Sequence, residues 1–441
     1  MIAQWPGYLD ADGLASYFPP RDGDANRGSD TLTAYLLAAA HEASGVDPDF
    51  ALANELRAPM ERGLIAFVEG RVQRTFWSPR KDLDVRKLAA IEALSRYGKA
   101  QGRMLGSVTI APNQWPTSAV IDWLNILRRV ADVPQREQRL TEANQVLRSR
   151  LSFQGSKLVF STEKDDYWWW LMVSGDVNTA RLMLAVMDDP AWKDDMARLA
   201  NGFIGRQKQG AWATTTANLW GGLALEKFST RFEAVPVAGT TKASMGANSA
   251  AVDWAKAGRS MFMPWKDGAK ETLNLTHQGA GKPWLTVLSV AAVDLKAPIN
   301  AGYQITKTIT PVEQARSGVY TRGDVLRIAL EVTASADMTW VAITDPISGG
   351  ATILGSGLGR DSQIATRGEK RFGWPAFEER SQEAFRIYYE YLPKGVVKID
   401  YTLRLNNVGE FSLPPSRAEA MYAPEMFGEL PNSRIRVETM R

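Results

Sequence analysis

The chain has 441 residues, 45% of them apolar and 23% charged, with a net charge of +3, 15 Trp, two His and no Cys. That length suits two or three domains rather than one core, and so small a charge gives no reason to expect a nucleic-acid or lipid partner. The absence of Cys excludes disulfides, thiol catalysis and thiolate metal sites without fixing the compartment, since proteins of oxidising compartments need not carry disulfides.

No apolar run approaches the ~20 residues of a membrane helix, and Met1–Pro6 lacks the basic start and apolar middle of a signal peptide, so a soluble chain without an address of its own is expected. Residues 1–26 are rich in Gly, Pro and Asp and read as a loop. From Thr31, the residues Leu32, Tyr35, Leu36, Ala39 and Ala43 share one helical face, with Ser29 or Asp30 as N-cap. Further helices are predicted over about 48–73, 82–99, 118–131, 135–151, 178–187 and 191–206. Gly and Pro separate them, which favours antiparallel helix pairs packed side by side, and ten of the 15 Trp precede residue 229, where wide rings can fill the space between helices.

The stretch 207–228 reads QKQGAWATTTANLWGGLALEKF. Gly210 is expected to stop one helix in the left-handed conformation, and the Thr214–Thr215–Thr216 run to cap the next. Ala217, Trp220, Leu223, Ala224 and Phe228 then recur at three- and four-residue spacing, so this helix buries a stripe, and Trp212 and Trp220 are predicted to be buried. After Phe228 the period changes. Residues 233–312 hold Gly-rich turns and short β-type runs such as 284–293, and from Ile299 the period is close to two. Leu326, Ile328, Leu330 and Val332 alternate with polar neighbours, as do Val397, Ile399, Tyr401, Leu403 and Leu405; residues 339–344, 385–391 and 434–438 complete the pattern of a β-sandwich.

The wording of 207–228 resembles the last inner helix of the thioester-domain toroid of bacterial α2-macroglobulins. Other segments resemble the same family in the same order: 28–37, 165–170, 175–178 and 188–192 resemble earlier parts of the toroid, while 378–381, 388–393, 405–407 and 421–428 resemble its C-terminal macroglobulin-like domain. The resemblance implies an α-then-β multidomain chain. An incomplete α/α toroid over 1–229 is followed by a CUB-like β segment over 230–298 and by an antiparallel macroglobulin-like β-sandwich over 299–441. It further implies a non-catalytic endopeptidase inhibitor of the periplasm that traps target proteases by conformational change, with neither cofactor nor metal, no nucleic acid and no membrane insertion by this chain. An alternative is a thioester-free structural module with envelope protein partners. Thioester-bearing members carry a Cys-x-Glu-Gln motif, which these 441 residues lack.

Met421 and Tyr422 match the family's loop that shields the thioester from water; they equally suit a loop that docks the sandwich on the toroid. With Pro414 and Pro415 before it and Pro424 after it, this segment is predicted to project as an ordered loop. Other candidates have bland readings. His41 and His277 are isolated and read as structural. Asp165 and Asp166 precede three Trp and could be an acid pair of a toroid hydrolase, but adjacent residues diverge on a helix, and N-capping fits them better. The glycines of 355–359 mimic a phosphate loop without the helix that one requires.

Overall fold

The computed structural model describes residues 2–19, 27–155, 157–161, 168–208, 210–256, 260–264, 271–284, 287, 295–355 and 375–439. Asp165 and Asp166, residues 356–359 of the glycine-rich run and most of the 284–293 stretch lie outside them.

Among the described residues eight α-helices come first: α1 (Asp30–Ser44), α2 (Asn54–Val68), α3 (Leu83–Arg96), α4 (Thr117–Arg129), α5 (Arg136–Ser149), α6 (Gly175–Val186), α7 (Met196–Ile204) and α8 (Thr215–Phe232). Ser29 is the N-cap of α1, its hydroxyl accepting from Leu32 N at 3.2 Å. Thr214 does the same for α8, accepting from Ala217 N at 3.2 Å. Helices α1, α3, α4, α6 and α8 follow one another around a ring in which α8 returns to α1, and α2, α5 and α7 pack outside it. The position of α5 explains why only Ala143 and Leu147 of its fourteen residues are buried, whereas α4 is buried from Thr117 to Leu127.

Two details differ from the sequence reading. A hairpin of β1 (Leu151–Gln154) and β2 (Lys157–Phe160) interrupts the helices, because Leu158 and Phe160 pack one β face on α7 in a stretch too short for helical periodicity to register. Gly210 is left-handed, with φ +81°, but it closes a tight turn between Lys208 and Ala211 rather than capping a helix, since α7 has already ended at Ile204. That turn presents Trp212, whose ring stacks on Phe203 at 4.2 Å and whose indole N–H donates to Phe203 O. The pair lies against Gly221 of α8, where a Cβ would fall 2.6 Å from the Trp212 ring; only glycine lets the helix come so close.

The interior of the ring is ionic, and every helix of the ring contributes to it. Glu92 of α3 sits among Arg96 (2.7 Å), Arg129 of α4 (2.9 Å) and Asn125 (3.2 Å); Arg96 also reaches Glu42 of α1 at 2.7 Å. Asp122 of α4 pairs with Arg181 of α6. Trp220 of α8 is 3% exposed and lies between the guanidiniums of Arg96 and Arg181, 5.9 and 5.6 Å from its ring centre. Burial works to raise the Glu92 carboxyl, but Arg96, Arg129 and Arg181 outweigh it and hold the group at about 2. For Asp122 burial wins over Arg181 and pushes the carboxyl up.

Beyond α8 no helix occurs among the described residues. A three-stranded antiparallel sheet comes first, β3 (Thr240–Met245) lying between β4 (Asn248–Asp253) and β5 (Leu273–Gln278). The remaining strands form the sandwich: β6 (Ile299–Ala301), β7 (Tyr303–Glu313), β8 (Tyr320–Thr321), β9 (Val325–Ala334), β10 (Met338–Pro346), β11 (Thr352–Ile353), β12 (Phe377–Arg380), β13 (Ala384–Leu392), β14 (Gly395–Arg404), β15 (Gly409–Phe411), β16 (Ser416–Ala420), β17 (Ala423–Leu430) and β18 (Ile435–Glu438). One sheet runs β12-β13-β10-β16-β17-β6, the other β11-β14-β9-β7, and a third has the order β15-β18-β8. Pairing is antiparallel except between β18 and β8. Alternating apolar residues of the two larger sheets meet in one core, where Phe385 of β13 stacks on Tyr401 of β14 at 4.4 Å.

Candidate functional site

Met421 and Tyr422 occupy the connection between β16 and β17. This is a two-residue turn rather than a projecting loop. Strand β17 begins at Ala423 with Pro424 inside it, which the sheet tolerates because the ladder is irregular at Glu419/Ala420 and no partner is paired opposite Pro424. Across this turn the two residues diverge. Met421 is 43% exposed, its backbone N–H donating to Trp340 O at 2.9 Å, whereas Tyr422 is 8% exposed and packs with Ala15, Leu32 and Met172 of the helical domain.

Tyr422 is one member of an aromatic seam. Tyr17, in the segment that precedes α1, hydrogen-bonds the Tyr422 hydroxyl and donates to Met172 Sδ at 3.1 Å, while its ring lies 3.7 Å from that of Trp340 in β10. Phe18 reaches further across the sandwich, stacking on Phe377 at 4.8 Å and meeting Tyr388 at 5.5 Å. Trp77 bridges Trp169 at 6.1 Å and Tyr391 at 5.2 Å. Tyr17 is half-buried as a whole but its hydroxyl is enclosed; burial pushes it well above the ordinary tyrosine range, and the neighbouring Tyr422 and Glu390 add to the effect. Burial also raises Tyr422, against the lowering pull of its hydrogen bond with Tyr17. Both rings therefore remain neutral and keep their hydrogens at ordinary pH.

The segment carrying Tyr17 and Phe18 is fixed from behind. Asp10 accepts from Leu14 N and Gly28 N at 2.9 Å each, and Arg74 joins Asp10 and Asp12 at 2.7 and 2.6 Å. Two residues of the seam hold left-handed backbones without being glycine: Met172 at φ +58° and Trp340 at φ +54°. Sequence reading identified Tyr422 but missed Tyr17, Phe18, Trp77 and Trp340, which sit in loops or singly on strands. Their only signal was aromatic residues at positions where periodicity predicted no buried face.

Beside this seam the two domains flank a cleft, open to solvent, of about 1070 Å³. Its walls include the start of α1 (Gly28, Ser29 and Thr31), with Arg27, Arg74 and Trp77 on the helical side and Thr339, Trp340, Glu390 and Lys394 on the sandwich side.

The other sequence candidates fall elsewhere. His41 packs edge-on to Tyr97 at 5.2 Å, and burial, with Arg96 and Arg129 nearby, lowers its pKa. His277 is held by Thr241 at 2.9 Å and by Ala280 O at 3.2 Å. Among the described residues no group of three or more His, Asp or Glu could hold a metal, and no helix is long and apolar enough to cross a membrane. The carboxylates inside the ring, Glu92 and Asp122, are engaged with guanidiniums.

Residues 302–425 match the family model of the bacterial alpha-2-macroglobulin MG10 domain. The chain is 20% identical, over 97% of its length, to an alpha-2-macroglobulin homolog of Nostoc, and it spans 23% of that protein. Its fold is similar to native Escherichia coli alpha-2-macroglobulin from domain MG7 to the C-terminus, with a TM-score of 0.67 and 13% identity over 99% of this chain and 67% of that one. Salmonella alpha-2-macroglobulin reacted with methylamine gives a TM-score of 0.66 and 14% identity, over 99% of this chain and 27% of the other.

Proposed function

We propose that this chain is the C-terminal portion of a bacterial α2-macroglobulin-like protein and serves a longer, non-catalytic endopeptidase inhibitor of the cell envelope, which traps proteases by conformational change. Its part in that protein is to hold a toroid against a macroglobulin-like sandwich until cleavage elsewhere releases them. The observation that carries this reading is Tyr422, buried against the helical domain and hydrogen-bonded to Tyr17, so that water is excluded from this one contact. Where an upstream Cys-x-Glu-Gln motif forms a thioester, the same closure shields it. Met421, more open, covers the rim of the turn.

The test uses the longer polypeptide with such a motif, comparing its rate of reaction with methylamine before and after Tyr422→Ala. Faster reaction, with the sandwich still folded, is the expected outcome; identical rates would show that Tyr422 is a domain contact alone. Secretion to the periplasm follows from the same reading and is checked by fractionation of cells that express the full-length protein.

A further inference from the structure

The sandwich holds a polar cluster that the shielding role of Tyr422 does not use. Lys307 of β7 donates from Nζ to Asp345 Oδ1, at the end of β10, at 2.8 Å. The same Nζ donates at 3.0 Å to Oδ1 of Asn432, in the segment between β17 and β18. The Lys307 side chain is 7% exposed and that of Asp345 0%. Tyr401 of β14 donates to Asp345 Oδ2 at 2.7 Å, and the hydroxyl of Ser416, at the start of β16, donates to Oδ1. The Asn432 amide is fixed as well, its nitrogen donating to Pro414 O at 2.7 Å and to Ser416 Oγ at 3.0 Å. An amine, an amide and a carboxyl group therefore meet beside the stacked rings of Phe385 and Tyr401, Phe385 being the cross-strand neighbour of Asp345.

This set of groups can react as well as pair. Two opposite charges taken out of water lose much of their solvation, and their attraction does not always make up the loss. Moving one proton across the 2.8 Å between Lys307 and Asp345 removes both charges and leaves a neutral amine, the nucleophilic form of lysine, against an amide. Aminolysis of an amide is slow between free molecules. Held at contact distance, however, an amine acts as though present at ~10⁵ to 10⁸ M, and a carboxylic acid beside it supplies general acid–base catalysis. Ser416 connects Asp345 to the Asn432 nitrogen, so the group that has to leave lies at the end of a proton path.

We propose that Lys307 and Asn432 condense to an intramolecular amide bond, with Asp345 as the catalytic acid–base group. The Lys307 nitrogen attacks Asn432 Cγ, the bond from Cγ to Nδ2 breaks, and ammonia leaves past Asn432, which is half-buried. Of the hydrogens on the Lys307 ammonium, one passes to Asp345, one reaches the departing nitrogen by way of Asp345 and Ser416, and one stays on the new amide. The ammonium and carboxylate charges cancel, Asp345 ends as a neutral acid, and no oxidant or second reactant is consumed. The bond ties β7, an edge strand of the four-stranded sheet, to the segment that enters β18, closing all but the ends of the sandwich into one covalent loop. Such a loop restricts the unfolded chain as a disulfide does, in a protein that has no Cys.

The intact mass of the folded 441-residue chain reads the reaction directly, and condensation is expected to lower it by about 17 Da, the mass of ammonia. Trypsin is then expected to leave residues 297–316 uncut after Lys307 and joined to residues 418–434. Lys307→Arg keeps the positive charge without the amine nucleophile and is expected to restore the full mass, as is Asn432→Ala at its half-buried position. Asp345→Asn, close in shape, is expected to abolish the link in a chain whose circular dichroism spectrum is unchanged. Ser416→Ala keeps the Lys307–Asp345 pair and cuts the proton path, so the linked fraction is expected to build up at least about tenfold more slowly after synthesis, whether or not Asp345→Asn folds. A folded chain of full mass, cleaved by trypsin after Lys307, overturns the proposal. So does an ammonia loss that survives Lys307→Arg, which would place it in ring closure of Asn432 on the backbone nitrogen of Ser433. Undiminished linking in a folded Asp345→Asn chain overturns the catalytic role of Asp345.

Discussion

Trp220→Ala is the sharpest perturbation of the helical domain. The ring is 3% exposed, and every surface of it is in use: Tyr35 of α1 meets it edge-on at 6.3 Å, and Arg96 and Arg181 lie over it. Removing a buried Trp leaves a cavity that close-packed helices cannot fully collapse, at a cost of ~3 to 5 kcal/mol. Two desolvated cation–π contacts, each worth ~1 to 2 kcal/mol, place the expected loss near the upper end of that range. The guanidiniums themselves stay paired, Arg96 with Glu92 and Arg181 with Asp122, so the penalty of an orphaned charge is not added. For a domain of this size the loss corresponds to a fall in melting temperature of roughly 10 °C. Urea unfolding followed by far-ultraviolet circular dichroism isolates the helical transition from that of the sandwich. An unfolding free energy lowered by less than ~1 kcal/mol, with an unchanged slope, would refute the claim that Trp220 closes the ring between α8 and α1.

Two further outcomes follow from the structure. Glu92→Gln removes the carboxylate that Arg96 and Arg129 share, leaving Arg96 with Glu42 alone, and is expected to cost ~3 to 5 kcal/mol at neutral pH. Because the Glu92 carboxyl is held at about 2, below its unfolded value of 4.5, its contribution is complete above pH 4.5 and is lost as pH falls through 2; the variant should therefore show a flatter acid limb, while Asp122, raised by burial, acts in the opposite sense at higher pH. Phe18→Ala removes the stack on Phe377 and Tyr388 and is expected to speed limited proteolysis between the domains without shifting the melting of either; a lowered sandwich transition would show that Phe18 supports the sheet instead.

What could be read from the sequence was what repeats. The stripe of α8, its Thr214 cap and the Ser29 cap of α1 are local patterns, and each stands where the spacing placed it. So do β9 and β14, whose alternation reflects one buried face each. Features made by residues far apart were not legible. The ionic interior draws Glu42, Glu92, Asp122, Arg181 and Trp220 from five helices, and each alone reads as an ordinary surface charge or core ring. Tyr17 and Phe18 precede a Pro and belong to no periodic element, so nothing local indicates that their partners lie more than three hundred residues away. The turn at Met421 and Tyr422 was misjudged for a related reason: whether Pro424 ends a strand or sits at an unpaired position depends on the neighbouring strand's register, which one segment does not contain.

Trp340 has a consequence for how the two domains can part. Its left-handed backbone, unusual for a bulky residue in a strand, costs ~1 to 2 kcal/mol, and it turns the carbonyl toward Met421 N while the ring meets Tyr17. A peptide leaves that region of φ by rotating over a barrier rather than by bending gradually. The contact with Tyr17 on one side and the 421–422 turn on the other are thus tied to the backbone of one residue, so a change at Trp340 disturbs both at once.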